Sequence, residues 1–117
     1  MEFGVGGEGL EGVKAYVSEL GKTYRLALLD LGRSPDSHIY DLGEQDFYLA
    51  DAESRSYRFL KSLSAFYHSL PFLEGEIFVK ECLEKGRHYR YWYLGGSNVK
   101  IYRRSKRALF EKMKEAF

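Results

Sequence analysis

Apolar residues recur along this chain with two periods, and the changes of period divide it into elements. Leu10, Val13, Val17 and Leu20 stand three or four residues apart, which is one helix face, and Gly21 is a natural stop. Tyr24 to Leu31 is nearly all apolar and predicts a buried strand. Turn-forming residues fill Gly32 to Ser37, so His38 to Leu42 is the expected return strand of a hairpin. A second turn, Gly43 to Asp46, and a short extended piece, Phe47 to Leu49, lead to Asp51, placed to cap a long helix reaching Leu70. The apolar stripe of that helix is Phe59, Leu60, Leu63, Phe66, Tyr67 and Leu70, and Pro71 closes it.

Tyr89, Tyr91 and Tyr93 alternate with Arg90 and Trp92, a period of two. Ile77–Glu84, Arg87–Leu94 and Asn98–Tyr102 read as three strands joined by turns at Lys85-Gly86 and Gly95-Gly96. In that register Glu84 faces Arg87, Glu81 faces Arg90, and Trp92 lies between Val79 and Val99. One sheet face is aliphatic; the other mixes Tyr89, Tyr91, Tyr93 and Tyr102 with Lys80 and Lys100. After Ser105 the spacing of Leu109, Phe110, Met113, Ala116 and Phe117 returns to helical, and that helix should cover the aliphatic face and Trp92.

The predicted fold class is therefore α+β: an N-terminal helix, a β-hairpin, a long helix, a three-stranded antiparallel meander and a basic C-terminal helix. Residues 1–117 form one domain behind a flexible, glycine-rich leader at 1–9. Gly21-Lys22-Thr23-Tyr24-Arg25 is echoed by Gly86-Arg87-His88-Tyr89-Arg90, which suggests two hairpin-plus-helix units, 21–70 and 77–117.

Charge changes this picture most. Residues 1–84 carry 15 acidic and 8 basic side chains, whereas residues 85–117 carry 2 acidic and 10 basic. A basic end on an acidic body points to an anionic partner for that end. Aromatic residues make up 16% of the chain, ten of them tyrosines, so flat polar-tipped surfaces are abundant. The single cysteine, Cys82, excludes an internal disulfide and a multi-cysteine metal site. No apolar run reaches membrane-spanning length and the N-terminus lacks signal-peptide character, so a cytoplasmic protein without a membrane partner is expected.

Catalytic and cofactor signatures are missing. Gly4, Gly6 and Gly9 match a dinucleotide fingerprint, but no strand can precede them. Gly21-Lys22-Thr23 ends like a P-loop, yet Tyr16 stands where its first glycine belongs. His38, His68 and His88 lack metal-ligand spacing, and the acidic cluster Asp30 to Asp46 lacks calcium-loop spacing. No carboxylate stands two residues before a lysine, as a restriction-type nuclease core would need. The expectation is a non-enzyme with no catalytic residue, no metal and no small-molecule cofactor.

The Tyr24–Arg25 and Tyr89–Arg90 hairpins, their polar turns and the helices after them resemble the small arm-binding, AP2-like domains of tyrosine integrases. The resemblance implies a three-stranded sheet packed on one helix, with the open sheet face entering a DNA major groove. Residues 50–117 also resemble a double-stranded-RNA-binding domain in element order, with Ser105-Lys106-Arg107 at its basic helix start. The long first helix and the short Lys85-Gly86 loop rank RNA below DNA. The expected function is nucleic-acid binding, DNA favoured, by the basic sheet and helix. Lys80, Arg87, Arg90, Lys100, Arg103, Arg104, Lys106 and Arg107 would face phosphates, and Tyr89, Tyr91 and Tyr93 would contact grooves or bases. The alternative is a protein–protein module or homodimer through the tyrosine-rich face.

Overall fold

In this computed structural model every regular element among the described residues is helical. The described residues are 9–42, 54–96 and 98–116, with side chains from Tyr16 onward. The α+β expectation is overturned: these residues contain no strand, no β-hairpin and no meander. The features expected at Gly43–Asp46, Phe47–Leu49 and Asp51, and residues 1–8 of the leader, lie outside the described residues.

Helix α1 spans Gly9–Asp30, straight through Gly21. Val17, Leu20, Tyr24, Ala27 and Leu28 are buried, so one stripe continues past the glycine, while Leu26 and Leu29 face solvent. Leucine and alanine favour helix even where exposed, and an amphipathic helix rich in them imitates a buried strand. The true stop is Gly32, whose φ of 74° suits glycine. Its N–H donates to the Leu29 carbonyl at 3.0 Å and that of Arg33 to the Leu28 carbonyl at 2.8 Å, the paired bonds of a Schellman cap. Gly21 instead allows close approach: a Cβ there would lie 2.9 Å from the Cys82 carbonyl oxygen.

The expected return strand at His38–Leu42 is a single 3₁₀ turn, Ile39–Asp41. Ile39 and Leu42 are buried, and the Tyr24 hydroxyl donates to the Ser37 carbonyl at 2.6 Å, tying this loop to α1. Helix α2, Arg55–His68, is capped by Ser54, whose Oγ accepts from the Tyr57 N–H. Leu60 and Leu63 enter the core, and Phe66 meets Phe78 edge-on at 5.0 Å.

Helix α3, Phe72–Ile77, continues as a π-helical turn, Phe78–Leu83, and replaces the first strand of the meander. Ile77, Phe78 and Val79 are all buried, as are Cys82 and Leu83. A strand sends neighbours to opposite faces. Three consecutive buried residues instead mark a helix packed between others, which is why β-branched residues are tolerated here. Residues 87–91 form irregular loop, followed by a 3₁₀ turn at Trp92–Gly95.

Helix α4 spans Val99–Ala116, starting well before Ser105. The Asn98 side-chain oxygen accepts from the Ile101 N–H at 2.8 Å, and this cap draws the would-be third strand into the helix. Tyr102, Leu109 and Met113 are buried, whereas Val99 and Ile101 are exposed. The alternating tyrosines pack on one another instead of facing a second strand: Tyr89 on Tyr91 at 5.8 Å, Tyr91 on Tyr93 at 6.5 Å, both edge-on. The expected cross-strand pairs are absent. Arg87 approaches Asp36 at 4.0 Å, and the Arg90 guanidinium stands over the Tyr91 ring at 5.5 Å. Trp92 is only partly buried, beside the core rather than under it. Among the described residues no helix is long and apolar enough to cross a membrane.

Candidate nucleic-acid interface

Helix α4 sorts its cations by face. Tyr102, Lys106, Leu109 and Met113 recur at helical spacing on the core side. There the Lys106 ammonium donates to Glu81 at 2.8 Å, and Lys112 donates to the buried Glu74 at 2.7 Å. Lys100, Arg103, Arg104 and Arg107 follow the same spacing on the opposite side and line one shallow depression with Val99. All four are exposed, and none forms an ion pair with a described residue. They occupy the first turns of α4, where no acidic residue offsets the positive helix end.

The eleven candidate residues therefore divide. Lys100, Arg103, Arg104 and Arg107 come together on α4, and Tyr89, Arg90 and Tyr91 are exposed on the preceding loop. The other four are held by the fold. Lys80 pairs with Glu76 at 2.8 Å and stands 4.6 Å over the Trp92 ring. Arg87 lies against Asp36, Lys106 bonds Glu81, and Tyr93 stacks flat on Tyr102 with centroids 3.6 Å apart. The sheet face expected to present Tyr89, Tyr91 and Tyr93 together does not form.

Glu81 in the π turn and Glu84 at its end, expected to pair with Arg90 and Arg87 across strands, take other partners. Glu81 accepts from Trp92 Nε1 at 3.2 Å, Tyr102 Oη at 2.5 Å and Lys106 Nζ at 2.8 Å, joining the π turn to α4. Glu84 is fully buried between two imidazoles: one oxygen meets His38 Nδ1 and the other His88 Nε2 at 2.7 Å. The four-residue spacing of Glu84 and His88 was a readable signal; His38, far back in the chain, was not. Among the described residues no group of three or more His, Cys, Asp or Glu side chains is arranged to hold a metal ion. Burial first, and Glu81 second, push the Cys82 thiol up to about 12, so it stays protonated and unreactive.

No family model, curated protein or solved structure matches the chain.

The hydroxyls beneath this surface have a measurable consequence. Burial, then the bond to Glu81, raises the Tyr102 phenol well above its ordinary range, and burial raises Tyr24 likewise and pushes Tyr16 up to about 12. Each group keeps its proton longer folded than unfolded. The unfolded chain sheds these protons first, so stability is intact below about pH 9 and falls as pH rises. Each tyrosine ionised only in the unfolded state contributes a slope of about −1.4 kcal/mol per pH unit. Urea unfolding should show a lower midpoint at pH 10.5 than at pH 8, and Tyr102→Phe should flatten that dependence. A midpoint independent of pH across that range would contradict the burial assigned to these rings.

Proposed function

We propose that this protein binds nucleic acid, duplex DNA in preference to RNA, through the exposed basic face of α4. The supporting observation is the contrast along one helix: Lys106 and Lys112 are consumed by Glu81 and Glu74, while Lys100, Arg103, Arg104 and Arg107 have no acidic partner among the described residues. Four like charges in the first turns of a helix repel one another and oppose its dipole. A row of phosphates removes both penalties. An α-helix also fits the B-DNA major groove, so a helix takes the role that the sequence reading gave to a sheet. Tyr89 and Tyr91, exposed on the adjoining loop, supply surfaces for sugar or base contact. The reading assigns no catalysis, metal or cofactor to the interface. Such binding would take place in the cytoplasm, where one unpaired cysteine persists reduced.

The test is fluorescence anisotropy with random-sequence duplex DNA and duplex RNA across a salt series, with sedimentation mass measured alongside. DNA binding that weakens steeply with salt, by a monomeric protein, is the expected result. Absence of salt-sensitive binding to either duplex at low ionic strength would refute the reading. A dimer that Tyr91→Ser dissociates would favour the oligomerisation alternative.

A further inference from the structure

A cavity of about 530 Å³ opens on the other side of Lys106, between α1, the π turn and α4. Its volume lies in the range of small-molecule sites. Val17, Trp92 and Phe110 supply an apolar lining, with the Cys82 side of the π turn beneath. Among the described residues its charged lining is strongly one-sided: Lys80, Lys85, Arg90 and Lys106 against one carboxylate, Glu81.

The pairing of those groups decides what could bind. Glu81 already accepts from Trp92, Tyr102 and Lys106, so it has little capacity left for a cationic ligand. Lys80 is paired with Glu76. Among the described residues Lys85 forms no ion pair, and Arg90 interacts with the Tyr91 ring and with no carboxylate. Two cations are therefore left to a guest, on the loop that follows the π turn. The indole of Trp92 is fixed by its bond to Glu81 and carries the Lys80 ammonium over its ring at 4.6 Å; the rest of the ring lines the cavity as a preset wall for an aromatic body.

We propose that this cavity binds a small aromatic carboxylate, its ring against Trp92 and Phe110 and its anionic group toward Lys85 and Arg90. The site is separate from the exposed face of α4, since Lys100, Arg103, Arg104 and Arg107 do not line it. Cys82 remains a neutral thiol, so binding is non-covalent.

The chain has one tryptophan, so its indole N–H gives a single cross-peak in a ¹H–¹⁵N spectrum. Titration with 2-naphthoate should move that peak saturably, with a Kd of about 0.1–1 mM as expected for a ligand of this size. The uncharged 2-naphthalenemethanol should bind at least about tenfold more weakly. Lys85→Gln with Arg90→Gln should weaken naphthoate about tenfold while leaving the alcohol unchanged; both positions are exposed, and an unmoved indole peak before titration reports an intact fold. Neutralising the four α4 cations should leave naphthoate affinity as it was, which separates this site from the DNA reading. The proposal is overturned if the indole peak does not move by about 10 mM naphthoate. Equal binding of acid and alcohol, or unchanged naphthoate affinity in the double variant, overturns it as well.

Discussion

Replacing Lys100, Arg103, Arg104 and Arg107 together by glutamine should lower affinity for duplex DNA at least about a hundredfold near 0.1 M salt. Each phosphate neutralised by a cation releases counterions and adds about 0.9 to the slope of log K against log salt. Four contacts give a slope of about 3–4, and the quadruple variant should lose most of it. The four side chains sit on the N-terminal half of an 18-residue helix, which is about 27 Å long. That half can follow the phosphates along one groove wall. Lys112→Gln is the control on the same helix. Its ammonium is held by the buried Glu74, so its loss should reduce stability and leave the salt slope unchanged. If Lys112 matters to binding as much as Arg103 does, the face has been misassigned.

Gly21→Ala should destabilise the protein by about 1–3 kcal/mol, the scale of overpacking in a closed interior. On an exposed helix the same change would stabilise, by up to about 1 kcal/mol, because alanine loses less backbone freedom than glycine. The sign reverses here because the added methyl would sit 2.9 Å from the Cys82 carbonyl oxygen, a backbone atom that cannot swing aside. Larger residues at this position should prevent α1 from docking. Gly95→Ala is the comparison, since a Cβ there meets nothing within 4 Å; it should shift stability by less than about 0.5 kcal/mol. Urea denaturation of both variants decides the matter, and a stabilised Gly21→Ala would place the crossing of α1 and the π turn elsewhere.

The same glycine shows what could be read in the sequence. A glycine ending an apolar stripe is used either for a positive φ or for close approach. The choice depends on Cys82, a residue far along the chain that local pattern cannot bring into view. At Gly32 both the turn chemistry and the cap are local, and the chain reversal there was legible. The stripes of α2 and of the Leu109–Met113 half of α4 were legible for the same reason: their spacing alone sets the buried face. Ile77–Glu84 was not. Its run Ile77-Phe78-Val79, with two β-branched residues and an aromatic, suits a strand as well as a helix, and only packing by α1, α2 and α4 makes it a core helix. Val99–Tyr102 turned on one side chain, Asn98, whose capping bond commits the segment to α4.

The candidate site was legible as composition and illegible as pairing. Ten basic residues after position 84 set that end apart from the acidic body. Pattern does not show which of them are paired: Glu81 and Glu74 reach Lys106 and Lys112 because α3, its π turn and α4 pack together, and Asp36 reaches Arg87 from far back in the chain. In a strand register Glu81 would have met Arg90; in the helical fold it meets Lys106 and leaves Arg90 on the loop.

The most direct test of the basic-face assignment is a ¹H–¹⁵N spectrum recorded during titration with a short DNA duplex at low salt. Shift changes should concentrate at Lys100, Arg103, Arg104 and Arg107, with smaller ones at Tyr89 and Tyr91, while the buried side of α2 stays still. Changes centred on α1 or α2, or a spectrum that does not respond to DNA, would contradict it.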